Sequence, residues 1–316
     1  MINPSFLHYT NLASVIALTS LGASFGGAKA SKAAVEAINI QPTSKAEITR
    51  ITIVGLALIE TAAILALILV LLLLFRATGT PTPAIAFAEI GIAIGMGFTG
   101  FMSAYVSSFP VVKTCFAIAR QPFFSQQLMN LMIITQTIIQ TPLIFVFLIS
   151  LFIAFQCTPD LLLKSGIILM SSGICMGLGS IGPSIGLGNF AQIACESVGI
   201  NRKAYTFILP FTLMCGAFIE TPLIFAFLIS LILLGNISSA DAFIGIRSIC
   251  AALCIGIGTF APGIGSSRTA SAACRQMALN SVHYSRISQV SMFAQGIIDA
   301  AAVYALLIAL FIVFLK

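Results

Sequence analysis

The feature that most constrains this chain is that it repeats itself, apolar helix by apolar helix. The segment Gln140–Leu151, QTPLIFVFLISL, returns at Glu220–Leu231 as ETPLIFAFLISL, identical at ten of twelve positions with an offset of 80. A further step of 80 back reaches Glu60 in IETAAILALILVLLLLF, and a step of 79 forward reaches Asp299 in IIDAAAVYALLIALFIVF. One position per repeat is thus Glu60, Gln140, Glu220 and Asp299. The first half of each repeat is rich in small residues: LGASFGGAKA near Gly22, GIAIGMGFTG from Gly91, GICMGLGSIGPSIGLG from Gly173 and GIGTFAPGIG from Gly256, with Pro183 and Pro262 at matching places. Self-similarity at a fixed period means one supersecondary unit used again and again. Here the unit reads as a Gly-rich helix, a short polar loop and a bulky Leu/Ile/Phe-rich helix. The predicted hairpins span 1–78, 79–158, 159–237 and 238–316, with helices near 9–38, 46–75, 84–118, 124–155, 163–199, 203–234, 241–278 and 284–315. The connections ATGTPTP, QCTPD and GNISSAD carry the Pro, Gly, Asn and Ser of turns.

Each block is long enough to span a bilayer as a helix, which takes about 20 apolar residues. With 59% hydrophobic and 8% charged residues and a mean hydropathy of +1.10, a soluble domain and a disordered chain are both excluded. A transmembrane barrel would show short alternating segments instead. The expected fold is an all-α integral membrane protein of eight helices in four tandem hairpins. The net charge of +6 does not point to nucleic acid, because the basic residues are scattered singly. Lys29, Lys32, Lys45, Arg50, Lys113, Arg120, Arg202, Lys203, Arg268, Arg275 and Arg286 cluster at the within-hairpin loops, against Arg76, Lys164, Arg247 and Lys316 toward the other end. That bias places the within-hairpin loops in the cytoplasm and both termini on the opposite side. Cys250 and Cys254 stand four apart and, like the other cysteines, read as small packing residues rather than metal ligands. The start MINPSFLHYT has no basic n-region and no cleavage site of the kind a removable signal peptide needs.

Glu60, Glu220 and Asp299 fall near the middle of their apolar runs. An ionised carboxylate there costs at least about 2.5–3.5 kcal/mol, so the protonated form is the cheaper state. Such a group gives up its proton only where water or a fixed positive charge approaches. Thr61, Thr141 and Thr221 follow the key position and either support it or bond back to their own helix. Pro142 and Pro222 deprive the carbonyls of Ile138 and Phe218 of their helical donors. Tyr304 lies a little over one turn beyond Asp299 as a further candidate support. Glu89, early in the third helix, is expected to snorkel or to favour the helix N-terminus, and His8 and His283 to lie at the membrane interface. The glycines Gly177, Gly179, Gly182, Gly186 and Gly188 cover two neighbouring helix faces. That suits a helix with an equivalent helix on each side.

These residues resemble the proteolipid, or c subunit, of rotary ATP synthases, in which a Gly-repeat inner helix is joined by a polar loop to an outer helix with an acid at its middle. GLGSIGPSIGLG looks like the family's inner helix, and IARQP at Ile118–Pro122 like its loop, with Arg120 preceding position 140 by 20 residues. The resemblance covers nearly the whole chain as four fused copies. It implies a non-catalytic rotor component that closes into a ring with further copies of itself, bathed in lipid. Its carboxylates Glu60, Glu220 and Asp299 would carry H⁺, or Na⁺, past a stator subunit's membrane arginine. The polar-loop residues Gln41, Arg120, Gln121, Asn201 and Asn280 would meet central-stalk subunits. The resemblance implies no cofactor beyond the transported ion.

The chain departs from the family pattern at its loops, where only the second hairpin keeps Arg-Gln-Pro and the others read Ile40-Gln41-Pro42, Ile200-Asn201-Arg202 and Leu279-Asn280-Ser281, and in two further ways. Gln140 has no proton to lose, so the second hairpin is a degenerate, silent site. Sodium-binding members place a Gln 33 residues before the acid, where this chain has Gly27, Ser107, Leu187 and Ser266, which favours protons. Two other classes remain open. A secondary transporter also buries acids at midplane, but between inverted repeats. A membrane scaffold or pore proteolipid would use the packing and leave the acids unexplained.

Overall fold

The structure, a computed structural model, describes residues 3–76, 81–237 and 243–314. Its helices are α1 (Pro4–Ile40), α2 (Lys45–Leu74), α3 (Pro83–Arg120), α4 (Ser125–Ile139), α5 (Thr141–Gln156), α6 (Leu163–Ile200), α7 (Tyr205–Gly235), α8 (Ile244–Gly258), α9 (Phe260–Leu279) and α10 (Tyr284–Phe314). With α4–α5 and α8–α9 each forming one bent rod, the described residues give eight spans long and apolar enough to cross a membrane. Among them there is no strand. Parts of the connections after Arg76 and after Gly235, and Lys316, lie outside the described residues.

Each hairpin turns in the same way. The inner helix ends at Gln41, Gln121, Asn201 or Asn280, whose backbone leaves the helical region at φ −136, −136, −136 and −140°. In each case the residue's N–H bonds back to the carbonyl four residues earlier, at 2.8–3.1 Å. A single 3₁₀ turn then starts the outer helix. Proline opens that turn in the first two hairpins, at Pro42 and Pro122, where a missing N–H costs nothing.

The Gly-rich helices α1, α3, α6 and α8–α9 stand side by side in chain order, and the bulky helices α2, α4–α5, α7 and α10 form a second layer. Glycine is required where inner helices touch. A Cβ on Gly177 would lie 2.8 Å from the Gly95 Cα, and one on Gly263 would lie 2.7 Å from the Pro183 nitrogen. Gly22 meets the Phe101 backbone, and Gly182 meets the Phe260 backbone at the equivalent place one repeat pair later. Small residues let backbones approach in this way where lipid supplies no hydrophobic drive between helices. Between α3 and α6 the contact is also polar, since the Thr99 and Ser180 hydroxyls share a hydrogen bond.

The two middle inner helices are the most buried spans, while the outer edges of the row are bare. Ala13, Ala17, Leu21, Ser24 and Ala28 form an exposed stripe on α1, and Cys250, Leu253, Ile257 and Ala261 form one on α8–α9. The other cysteines are buried apart from the half-buried Cys254, and all eight are free thiols.

Candidate functional site

The second hairpin shows how the site is built. Pro142 has no N–H, and α4 stops at Ile139 with Gln140 as the residue in the break. The Gln140 N–H divides between the Gln136 and Thr137 carbonyls, both at 3.1 Å, and the Ser103 hydroxyl donates to the Ile139 carbonyl at 3.0 Å. Pro222 stands at the same place in the third hairpin, yet α7 runs through it unbroken. Only the first of the two prolines therefore interrupts its helix. The Gln140 side chain is 7% exposed. Its Nε2 donates to the Leu58 carbonyl on α2 at 2.9 Å and to the Ser107 hydroxyl on α3 at 3.1 Å. The amide thus ties its own inner helix to the preceding outer helix. One turn earlier, fully buried Gln136 does likewise, donating to the carbonyls of Ser107 at 3.0 Å and Gly55 at 3.2 Å.

The fourth hairpin repeats this arrangement with an acid. Asp299 is 6% exposed, and its Oδ1 accepts from the Ser266 hydroxyl at 2.8 Å, while Oδ2 has no partner. Gln295, one turn before it and fully buried, points Nε2 at the Ser291 carbonyl and hydroxyl, both at 3.2 Å, and at the Cys215 sulfur of α7 at 3.3 Å.

The first and third hairpins are built differently. Glu220 is half-buried, with the Thr141 hydroxyl of the preceding hairpin beside it and Oε1 unpartnered. Glu60 is exposed, on the hairpin that ends the row. The positions occupied by Ser107 and Ser266 are Gly27 and Leu187 in these two hairpins, and those of Gln136 and Gln295 are Leu56 and Gly216. Hydroxyl and amide therefore go together, in alternate hairpins. The serines were legible in the sequence only as positions lacking an amide. The buried glutamines were missed, and their sole signal was a polar residue one turn before the key position.

The remaining candidates divide. Thr61 and Thr221 bond back to their own helices, at the Leu58 carbonyl (2.7 Å) and the Ala217 carbonyl (3.1 Å). Thr141 alone of the three reaches a neighbouring acid. Tyr304 is 66% exposed, and no described hydrogen bond joins it to Asp299. In the polar loops, Gln121 donates to the Gly199 carbonyl at 2.9 Å and Asn201 to the Ala278 carbonyl at 2.9 Å, so both fasten one loop to the next. Gln41 bonds the Thr43 hydroxyl at 3.0 Å, while Arg120 and Asn280 are exposed. Glu89 neither snorkels nor caps. It is 3% exposed and holds His8 Nδ1 at 2.7 Å, a pairing of residues 81 apart that sequence alone did not reveal.

Known proteins carry the same repeating unit. The family of ATP synthase c subunits matches the chain four times, at residues 12–73, 90–153, 170–233 and 249–312. The ATP synthase c subunit of Dehalococcoides mccartyi strain 195 is 40% identical over 66 residues, 21% of this chain and 87% of that protein. Its counterpart in Prochlorococcus marinus strain MIT 9301 is 36% identical over 66 residues, 21% of this chain and 82% of that protein. Each relative is thus matched over most of its length by about one hairpin of this chain.

Proposed function

The chain belongs to the ATP synthase c-subunit family and is an integral, multi-pass membrane protein; from that premise we propose that it forms part of a rotor ring and carries protons on Glu60, Glu220 and Asp299. The observation that carries this reading is the recurrence of the three acids at one equivalent position of the outer helices, with Glu220 and Asp299 packed within the row and Glu60 at its open edge. An acid there is loaded as the neutral form and discharged when a fixed cation faces it. We assign that cation to a stator arginine, and the basic within-hairpin loops to the cytoplasm and the rotor stalk. The catalysis of ATP chemistry then belongs to other subunits.

Ring closure with further copies is supported by the two bare edges. Counting from the loop residues Gln41 and Asn280, Ile257 and Ala261 are the counterparts of Leu18 and Gly22, the residues that hold the second hairpin's Gly97 and Phe101. On α1, exposed Ala17 and Leu21 are the counterparts of Gly97 and Phe101 themselves. The edge of the fourth hairpin and the edge of the first are two halves of a contact already made three times within the chain. Head-to-tail joining of copies satisfies both, and it encloses Glu60 behind α10 of the preceding copy.

Protons are favoured over Na⁺ because the position 33 before each key residue holds no amide. The test uses the purified complex and a hydrophobic carbodiimide, which attacks protonated carboxyls in apolar surroundings. Modification is expected at Glu60, Glu220 and Asp299, on rings of high mass. Monomers alone, or acids that stay unreactive, would overturn the reading. Protection of all three acids by Na⁺ would replace the proton with the metal ion.

A further inference from the structure

Two buried oxygens on α10 lack partners, and they lie one helical turn apart on the same face: Gln295 Oε1 and Asp299 Oδ2. The orientation of the amide is fixed by its surroundings. Nε2 faces the Ser291 carbonyl, which only accepts, so turning the amide over would set oxygen against oxygen. Oε1 therefore points away from Ser291 with its lone pairs unused, in a residue that is fully buried. Ser266 has already spent its one proton on Asp299 Oδ1. Neither orphaned oxygen can satisfy the other, since both are acceptors. A proton added to Asp299 turns Oδ2 into a donor, which is what the acceptor one turn away lacks.

We propose that Gln295 is the acceptor that holds the carried proton on Asp299: in the loaded site the proton is bonded to Oδ2, and that O–H donates to Gln295 Oε1. Discharge breaks the O–H bond, leaves both electrons on the carboxylate and passes the proton to water or to the exit path. Gln295 is a positioning residue in this scheme and never itself gains or loses the proton. The inference rests on the reading of Asp299 as a carrier. It sets this site apart from Glu60 and Glu220, which have Leu56 and Gly216 one turn earlier. In the second hairpin the matching Gln136 Oε1 is likewise without a described partner, and Gln140, whose N–H donors bond Leu58 and Ser107, has no carried proton to offer it.

Other titratable groups on the packed elements are Tyr205, Cys215 and Glu220 on α7, Arg247, Cys250 and Cys254 on α8, and Arg268, Cys274 and Arg275 on α9. Of these, Cys215 touches Gln295, and Ser266 is the described hydrogen-bond partner of Asp299.

The test measures carbodiimide modification of each acid in the intact complex by peptide mass spectrometry, at one mildly alkaline pH. A hydrogen bond that favours the protonated form enlarges its population. Gln295→Leu is expected to slow modification of Asp299 about tenfold while leaving Glu220 unchanged. In infrared difference spectra the protonated-carboxyl stretch of Asp299 should move to higher frequency in the same variant, a signature that loosened packing does not give. Leu56→Gln, which places an amide one turn before Glu60, should speed Glu60 modification several-fold and keeps the question open to test if Gln295→Leu fails to assemble. Unchanged rates in both variants, or equal slowing at Asp299 and Glu220, would overturn the proposal. So would Na⁺ protection confined to Asp299 and lost with Gln295, since the orphaned oxygens would then be metal ligands. An Asp299 that is never modified at any pH would overturn the carrier reading and this inference together.

Discussion

The second and fourth hairpins seat their key residue among polar partners, and the first and third do not. Gln140 and Asp299 are 7% and 6% exposed, and each meets an inner-helix serine, Ser107 or Ser266. Glu220 has only the Thr141 hydroxyl of its neighbour beside it, and Glu60 waits at an open edge. Both solutions keep a polar group in apolar surroundings, where an unsatisfied one is costly. One solution surrounds the group with hydrogen-bond partners, and the other leaves it closer to the surface. The chain is therefore better described as two pairs of hairpins than as four equal copies, with Gln140 and the best-held acid occupying the same kind of site.

The order of sites along a ring follows from this: Glu60, Gln140, Glu220, Asp299, then Glu60 of the next copy. Removing Glu220 leaves two silent hairpins in a row, whereas removing Asp299 leaves carriers and silent sites alternating. A stator arginine left without a partner is a buried, uncompensated cation, a state costing about 3–5 kcal/mol in other proteins. Glu220→Gln is therefore expected to slow ATP-driven proton pumping in reconstituted vesicles roughly tenfold or more, and Asp299→Asn no more than about threefold. Equal defects would mean that the spacing of carriers is immaterial and would break the distinction between the sites.

A smaller effect is expected from giving the second hairpin its acid back. Gln140→Glu makes four carriers of three, so the protons moved per ATP in vesicles should rise in that proportion. The variant gives up the N–H donors to Leu58 and Ser107, at a cost of about 1 kcal/mol each. The Leu58 carbonyl still has the Thr61 hydroxyl at 2.7 Å, so assembly should survive. An unchanged ratio of protons to ATP would show that the second hairpin is not a missing carrier.

Much of this was legible in the sequence. The eight spans lie within a few residues of the helices read from apolar periodicity, because the loop residues Gln41, Gln121, Asn201 and Asn280 stop each inner helix in one local way. The equivalence of Glu60, Gln140, Glu220 and Asp299 also followed from the repeat. What stayed hidden depended on contacts between hairpins. His8 and Glu89 look interfacial until α1 and α3 bring them together. The sequence also did not show that Gln121 and Asn201 reach carbonyls in the last turn of the next inner helix. Gln136 and Gln295 look like ordinary polar interruptions, because a linear sequence does not say which amide oxygen is left unpaired. Pro142 and Pro222 have the same local sequence and different helices, so the break at Gln140 goes with the bonds that Ser103 makes within the hairpin and Gln140 makes across the seam rather than with proline alone.

The finest distinction lies between the two serines. Ser107 and Ser266 occupy the same place, yet Ser266 donates to an acid, and Ser107 accepts from an amide. Ser266→Ala removes the one described donor to Asp299, at a cost of about 1 kcal/mol. Pumping is expected to fall less than about threefold, with carbodiimide still reaching Asp299. Ser107→Ala should leave pumping untouched, because no proton is carried at Gln140, and lower only the thermal stability of the assembled complex. If instead Ser107→Ala impairs pumping as much as Ser266→Ala does, the serines act by packing the inner helices, and the polar seat of the second and fourth hairpins serves assembly rather than transport.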